Sequence, residues 1–213
     1  MLAQKINADI DERRELLLQI KTLYLRYHFN KRDEDLFLVY SIASVYAIWE
    51  GFVQTTFQFY IDELNTLNLT INTIHEQLLV YHLENRFKQF NEYPKKFDKK
   101  VAFLKNLHHF YESKVIIINR VVDTKSNVGF KVMNTILETF NLKPIREREY
   151  EPLYSFVDEL DKFLLKARNA VAHGNEASIT REDLDRAIKL VNILMDLIFD
   201  RVMDGFNNRT YLK

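Results

Sequence analysis

LFLVYSIASVYAIWEGFVQTTFQFYI, residues 36–61, decides the fold. Its apolar side chains neither alternate, as in a half-buried strand, nor keep to one stripe, as in a surface helix. They surround the segment and leave room for only a few uncharged polar residues and Glu50. A helix apolar nearly all round lies in the middle of a bundle. Asp33, Glu34 and Asp35 stand just upstream, where a helix N-terminus favours acids. The stretch is therefore expected to be a central helix from about Asp33 to Leu67. Its longest uncharged run, Leu36 to Trp49, is shorter than the roughly 20 residues that span a bilayer, so no membrane partner is expected.

Working outward, the rest of the chain is short of breakers. It has four glycines and three prolines in 213 residues, against roughly 15 and about 10 in an average chain of that length. Sandwiches, barrels and hairpin-rich folds need such residues at most of their turns. An all-α bundle of about six to seven helices, forming one domain over residues 1–213, is what remains. At 47% hydrophobic the chain can bury a sizeable core. Thirty Lys and Arg balance thirty Asp and Glu, so any nucleic-acid contact must be local, without the broad basic excess of a duplex-coating protein. The absence of cysteine removes disulfides, thiolate nucleophiles and Cys-ligated metals. MLAQKINADIDERRELLLQ, at the N-terminus, carries charges throughout and no apolar core, unlike a signal peptide. A soluble, cytoplasmic protein is expected.

The flanking segments read as helices over about Asn7–Phe29 (with Ile6, Ile10, Leu17, Ile20, Leu23 and Tyr24 as its apolar face), Thr70–Phe90, Lys95–Tyr111 and Asn127–Phe140, the last with Ser126 as N-cap. Val115 to Val122 is β-branched and reads equally as a short strand or a buried turn. Pro152 suits the first turn of a helix that runs to about His173, with Leu153, Phe156, Leu160, Leu164, Ala167 and Val171 among its apolar stripe. Thr180 with Asp183 three residues on has the pattern of a capping box for a last helix.

The chemistry gathers at the end of the penultimate helix, in Arg168-Asn169-Ala170-Val171-Ala172-His173-Gly174. At about 100° per residue, Asn169 and His173 lie about 40° apart, on one face nearly opposite the apolar stripe. Arg168 sits at the flank, and Lys162 and Lys166 share the polar face one and two turns back. An imidazole off the apolar stripe counts against the usual reading of a satisfied core histidine. The competing reading is a helix C-terminus that ends in His and Gly for capping and dipole reasons.

Arg168-Asn169-x-x-x-His173 resembles the R-x4-H motif of the HEPN superfamily of helical ribonucleases, in the Arg-Asn-x-x-Ala-His-Gly form of its bacterial toxin and defence branches. Tyr46-Ala-Ile-Trp49-Glu50-Gly51-Phe52, Asp123-Thr-Lys-Ser-Asn127 and Phe130 to Leu137 are similar to stretches of bacterial HEPN-like nucleases in the same order, so the likeness covers most of the chain. The resemblance implies a metal-independent endoribonuclease without cofactor, whose two protomers pack so that both motifs line one cleft. It makes Arg168 and His173 catalytic and Asn169 supporting. The ribose 2′-hydroxyl would attack the adjacent phosphate, leaving a 2′,3′-cyclic phosphate and a 5′-hydroxyl. Imidazole exchanges protons near neutral pH, and a planar guanidinium matches the charge that builds on phosphate oxygens. Asn169 could orient His173 or bind a phosphate oxygen. DNA, without the 2′-OH, should resist. The expected role is a toxin or antiviral effector, with RNA as substrate, a homodimer, and a cognate antitoxin or defence protein as possible partner. In toxins silenced by an adenylylating nucleotidyltransferase a Tyr follows two residues after the motif His; Asn175 stands there, which weakens that pairing. The alternative is a non-catalytic HEPN-like module that binds RNA, nucleotide or protein, or a plain helical scaffold.

Other residues read more simply. Glu50 interrupts an apolar helix and calls for a partner, Arg168 or a lysine; a structural contact outweighs a catalytic one. Trp49 reads as core. Lys162 and Lys166 are candidate RNA contacts. Arg86 to Lys105 interleaves seven basic residues with Phe87, Phe90, Tyr93, Phe97 and Phe103. It reads first as a solvated basic face over core rings and second as an RNA surface. His75, His82, His108 and His109 lack zinc-helix spacing, and no Gly-rich phosphate loop is present.

Overall fold

The computed structural model describes residues 1–213 apart from Asn91, Ser113, Lys114, Ser126, Glu176 and Ala177 and the side chains of Tyr24 and Leu25. Among these residues the chain is all-α, with seven α-helices and no strand. They are α1 (Leu2–Arg26), α2 (Lys31–Asn65), α3 (Glu76–Arg86), α4 (Phe97–Tyr111), α5 (Phe130–Thr139), α6 (Lys166–Ala172) and α7 (Arg181–Asn207). A 3-10 turn, Lys88–Phe90, follows α3, and a π-helix, Val157–Leu165, runs directly into α6.

The apolar-all-round segment is the axis of the bundle. α2 packs on α1, α6 and α7, and Trp49, Phe52, Val53, Phe57, Tyr60 and Ile61 are fully buried within it. By length and composition alone α2 would pass as a membrane span. Its neighbours in the bundle account for that hydrophobicity. Fully burying one such side chain contributes about 1.5–3 kcal/mol, so α2 dominates the core. Asn30 caps it by accepting from Asp33 N–H at 3.1 Å. At Gly51 a Cβ would stand 3.0 Å from Arg13 Nη1. The gap lets the Arg13 guanidinium reach the Ile48 carbonyl at 2.9 Å and Thr55 Oγ1 at 3.2 Å, joining α1 to α2.

Several boundaries differ from the sequence expectation. Thr70–Thr73 is a turn, and α3 starts at Glu76, because Ile74 bridges to Leu212 and His75 N–H donates to the Tyr211 carbonyl at 2.8 Å. The C-terminal tail thus takes the hydrogen bonds a longer helix would have used. Val115–Val122 is neither a strand nor a turn but an extended strap. Val115 and Ile117 face solvent, Ile116 and Ile118 are buried, and Asn65 clasps the Ile118 backbone at both N–H (2.7 Å) and C=O (3.0 Å). α5 begins at Phe130 with Gly129 as N-cap; the expected cap, Ser126, and the side chain of Tyr24 lie outside the described residues. The capping role passes to Asp161, whose Oδ1 accepts from Phe130 N–H at 2.7 Å. A Cβ on Gly129 would come within 2.6 Å of that oxygen, so a larger residue there would push the Asp161 carboxylate aside.

The largest correction concerns the motif helix. Pro152 lies in a turn closed by an isolated bridge between Glu151 and Tyr154, and Leu153 is 96% exposed, not part of the apolar stripe. The helix starts at Phe156, whose N–H donates to the Glu147 carbonyl at 2.9 Å, while Ser155 Oγ accepts from Asp158 N–H at 3.2 Å. Phe156, Leu160 and Leu164 form its buried edge. The capping box at Thr180 and Asp183 is present in full at the start of α7.

Candidate functional site

Arg168 is built into the joint between α6 and α2. Its guanidinium lies over the ring of Tyr46, with Cζ 4.8 Å from the centroid. Nη1 donates to Asn127 Oδ1 at 3.0 Å and to Asn169 Oδ1 at 2.8 Å. No carboxylate comes within ion-pair distance among the described residues. A ring face and two amide oxygens therefore hold the guanidinium without neutralising it. A cation over an aromatic face is worth about 0.5–2 kcal/mol, depending on how far it is desolvated.

Those holders are fixed in turn. Tyr46 Oη accepts from Val128 N–H at 2.7 Å, and Trp49 Nε1 donates to the Val128 carbonyl at 2.9 Å, both inside the core. Burial first, and then the nearby Glu50 charge, push the Tyr46 phenol up to about 12, so it stays neutral. Glu50 Oε1 accepts from Thr124 Oγ1 at 3.2 Å, and Thr124 Oγ1 accepts from Gln54 at 3.2 Å. The segment before α5 is thereby stitched to α2 by Tyr46, Trp49, Glu50 and Gln54. Glu50 braces that segment and not Arg168, as the sequence reading had allowed; its oxygen is taken up 74 residues away in the chain.

His173 caps the C-terminal end of α6, with its side chain exposed and without a hydrogen bond among the described residues. The helix ends there because Gly174 takes φ +68°. Asn175 N–H then reaches the Ala170 carbonyl at 2.9 Å and Gly174 N–H reaches Val171 at 3.1 Å, the paired bonds of a Schellman motif. The capping reading of His-Gly is correct for the backbone, and it leaves the imidazole free at an open helix end. Asn169 serves Arg168, not His173: its Oδ1 is the arginine's acceptor and it makes no hydrogen bond to the imidazole.

The lysines separate from this group. Lys162 pairs with Asp158 at 2.7 Å, a hydrogen bond that raises the pKa of this exposed ammonium. With Lys166 it lines a groove of about 540 Å³ between α6 and the start of α7, beside Ala170, Ile179 and Arg186. Arg168, Asn169 and His173 do not line that groove. Lys162 belongs to the π-helical stretch, where i→i+5 bonding widens the turn, so counting at 100° per residue misplaces it.

Tyr46 and Asn127 are the site residues that residue-by-residue reading missed. Each lay in a stretch already singled out, but their contacts with Arg168 span 122 and 41 positions and leave no local signal. Among the histidines, His75 caps α3, His82 is buried against Phe110, and His108 and His109 face Glu112 at 3.7 Å. Searches of curated proteins and of solved structures found no match to the chain. The sequence model of one family matches residues 8–204, which takes in α2, the stitched segment and the Arg168–His173 helix, and the chain accordingly belongs to the RiboL-PSP-HEPN family.

Proposed function

We propose that the protein is a metal-independent endoribonuclease of HEPN type, acting in the cytoplasm as a toxin or antiviral effector. Membership of a HEPN family supports a nuclease or RNA-binding role. The observation that carries the finer reading is the Arg168 guanidinium, held among the described residues by neutral groups, with an exposed His173 at the C-terminal end of the same helix.

In this reading the ribose 2′-oxygen attacks the adjacent phosphorus while the P–O5′ bond breaks. Arg168 binds the equatorial oxygens, whose charge grows in the transition state; such preorganised donors contribute about 10²–10³-fold. His173 moves a proton between the 2′-hydroxyl and the departing 5′-oxygen. Asn169, Asn127 and Tyr46 hold the arginine's orientation. Two protomers pack with their Arg168–His173 ends in one cleft, so that RNA meets a site composed from both. An antitoxin or defence partner would act by covering that cleft.

The test is incubation of structured and single-stranded RNA with the purified protein in EDTA, beside Arg168→Ala and His173→Ala. Expected are 2′,3′-cyclic phosphate ends from the wild type only, with DNA of the same sequence left intact. Cleavage that survives His173→Ala, or that requires a divalent metal, overturns the mechanism. RNA bound but never cut by the wild type would identify a binding module.

A further inference from the structure

The chain as a whole is electrically neutral, yet residues 86–105 hold seven basic residues against two acidic ones. None of the six lysines in that stretch forms an ion pair among the described residues. The rings between them divide into two sets. Phe87 and Phe103 are buried and anchor α4 to α3, with Phe87 edge-on to Phe103 at 6.1 Å and to Phe110 at 5.8 Å. Phe90, Tyr93 and Phe97 are 47%, 58% and 81% exposed. Phe90 and Tyr93 are held in fixed attitudes by T-shaped contacts with Phe103 at 5.5 and 6.2 Å, and Lys100 Nζ lies 5.3 Å from the Tyr93 centroid. The sequence reading of core rings under a solvated face holds only for the first set.

Between the 3-10 turn, Pro94 and α4 runs a groove of about 470 Å³. Phe103 lies at its floor, Lys88 and Lys99 supply cations, and Gln89 and Asn106 supply amides; Glu92 is the one carboxylate among the described lining residues. The volume falls in the range of small-ligand sites, which run from about 300 to 1,000 Å³. Exposed rings with interspersed cations are what single strands require, since every base has a stacking face and every phosphate a charge. A duplex offers no unstacked base, and a lipid surface has no use for amides able to pair with base edges.

The geometry points to this groove, with the neighbouring rings Tyr93 and Phe97, as a second contact for single-stranded RNA, away from the Arg168 site. The choice of RNA over other single strands rests on the ribonuclease reading above; the groove itself does not. One base enters over Phe103, Lys88 and Lys99 take its flanking phosphates, and the next bases stack on the exposed rings. The arm thus anchors the strand while the cleft at His173 cuts it.

The experiment measures anisotropy of a fluorescein-labelled oligouridylate on the full chain carrying His173→Ala, with duplex RNA and phosphatidylserine vesicles as further arms. Tyr93→Ser and Phe97→Ser, both surface changes, should each weaken the oligouridylate about tenfold. Lys88→Gln with Lys99→Gln should lower the slope of log affinity against log salt by about 0.7 per lysine, and arginine at both positions should restore it. With His173 intact, the same variants should raise KM and keep kcat. Affinity and salt slope unchanged in both serine variants and in the double glutamine variant would overturn the inference, as would vesicle binding that these variants abolish while oligouridylate binding persists. If the wild type cuts no RNA but the variants still release the oligouridylate, the cleavage reading fails and the groove stands.

Discussion

Arg168 is held by geometry more than by charge, and that makes lysine a poor substitute. A guanidinium is planar, lies flat on Tyr46 and reaches two amide oxygens from one nitrogen; an ammonium on a flexible stem does neither. Arg168→Lys should therefore cost on the order of 10²-fold in RNA cleavage although the charge is kept. Tyr46→Leu, which removes the ring under the guanidinium, should lower kcat at nearly constant KM, whereas Tyr46→Phe keeps the ring and should be milder. Equal activity of Arg168→Lys and wild type would show that the fork is idle. A second residue-scale prediction concerns His82 in α3. It is 3% exposed, neither ring nitrogen has a hydrogen-bond partner, and burial, with Arg86 second, pushes its pKa down to about 4. Below the ordinary histidine value of about 6.5 the unfolded chain takes up a proton that the folded chain refuses until about pH 4. Stability is thus present above that window and lost as pH falls through it, by about 2 kcal/mol between pH 7 and pH 5. His82→Phe should flatten this dependence in urea titrations at the two pH values, and a slope as steep as wild type would locate it elsewhere.

At the scale of elements, what was legible in the sequence was local. The capping box of α7, the glycine that ends α6 and the all-round hydrophobicity of α2 are each decided within a few residues of one another. What was not legible was set at long range. Nothing near Ser126 says that Asp161, 31 positions beyond Phe130, will cap α5. At middle range, Phe156 N–H is taken by the Glu147 carbonyl nine residues back, which starts the helix later than Pro152 suggests. The π-helical stretch is the same kind of failure: apolar residues at 156, 160 and 164 fit an α-helix and a wider turn equally well on paper. The candidate site follows this division: Arg168, Asn169 and His173 are singled out by spacing and resemblance, whereas the contacts of Tyr46 and Asn127 with Arg168 are seen only in the fold. Gly174 supplies the element-scale prediction. A Cβ there meets nothing within 4 Å, so Gly174→Ala is penalised by its φ of +68° alone, by about 1–2 kcal/mol. Thermal denaturation should show that loss, with Gly174→Asn in between, and cleavage should fall with it as the end of α6 frays and His173 loses its place. An unchanged melting temperature would mean that the turn re-forms without left-handed backbone.

The whole molecule is a bundle around α2 with α3 and α4 as an arm, and its charge is unevenly spread over that plan. The neutral total conceals a basic arm, which leaves the remainder net acidic. Association with RNA should thus be salt-sensitive despite a net charge of zero. The proposed shared cleft makes a prediction at this scale. Size-exclusion chromatography with light scattering should give a mass of two chains at the concentrations where RNA is cut, and specific activity should fall on dilution below the dimer's dissociation constant. A strictly monomeric species with full specific activity would contradict the composite site.

An arginine with no acid beside it among the described residues has one further consequence. Many buried or half-buried guanidiniums are quenched by a carboxylate of their own chain, and a conformational change can then expose or mask them. Here the partners are a phenol ring and two amides, which carry no charge to offer and do not titrate near neutral pH. Among the described residues no carboxylate lies within ion-pair distance to disarm the site, so simple oxyanions such as sulfate or phosphate should compete for it directly. For the same reason, the restraint proposed for Arg168 is one a second molecule would apply, by obstruction or by its own negative charge.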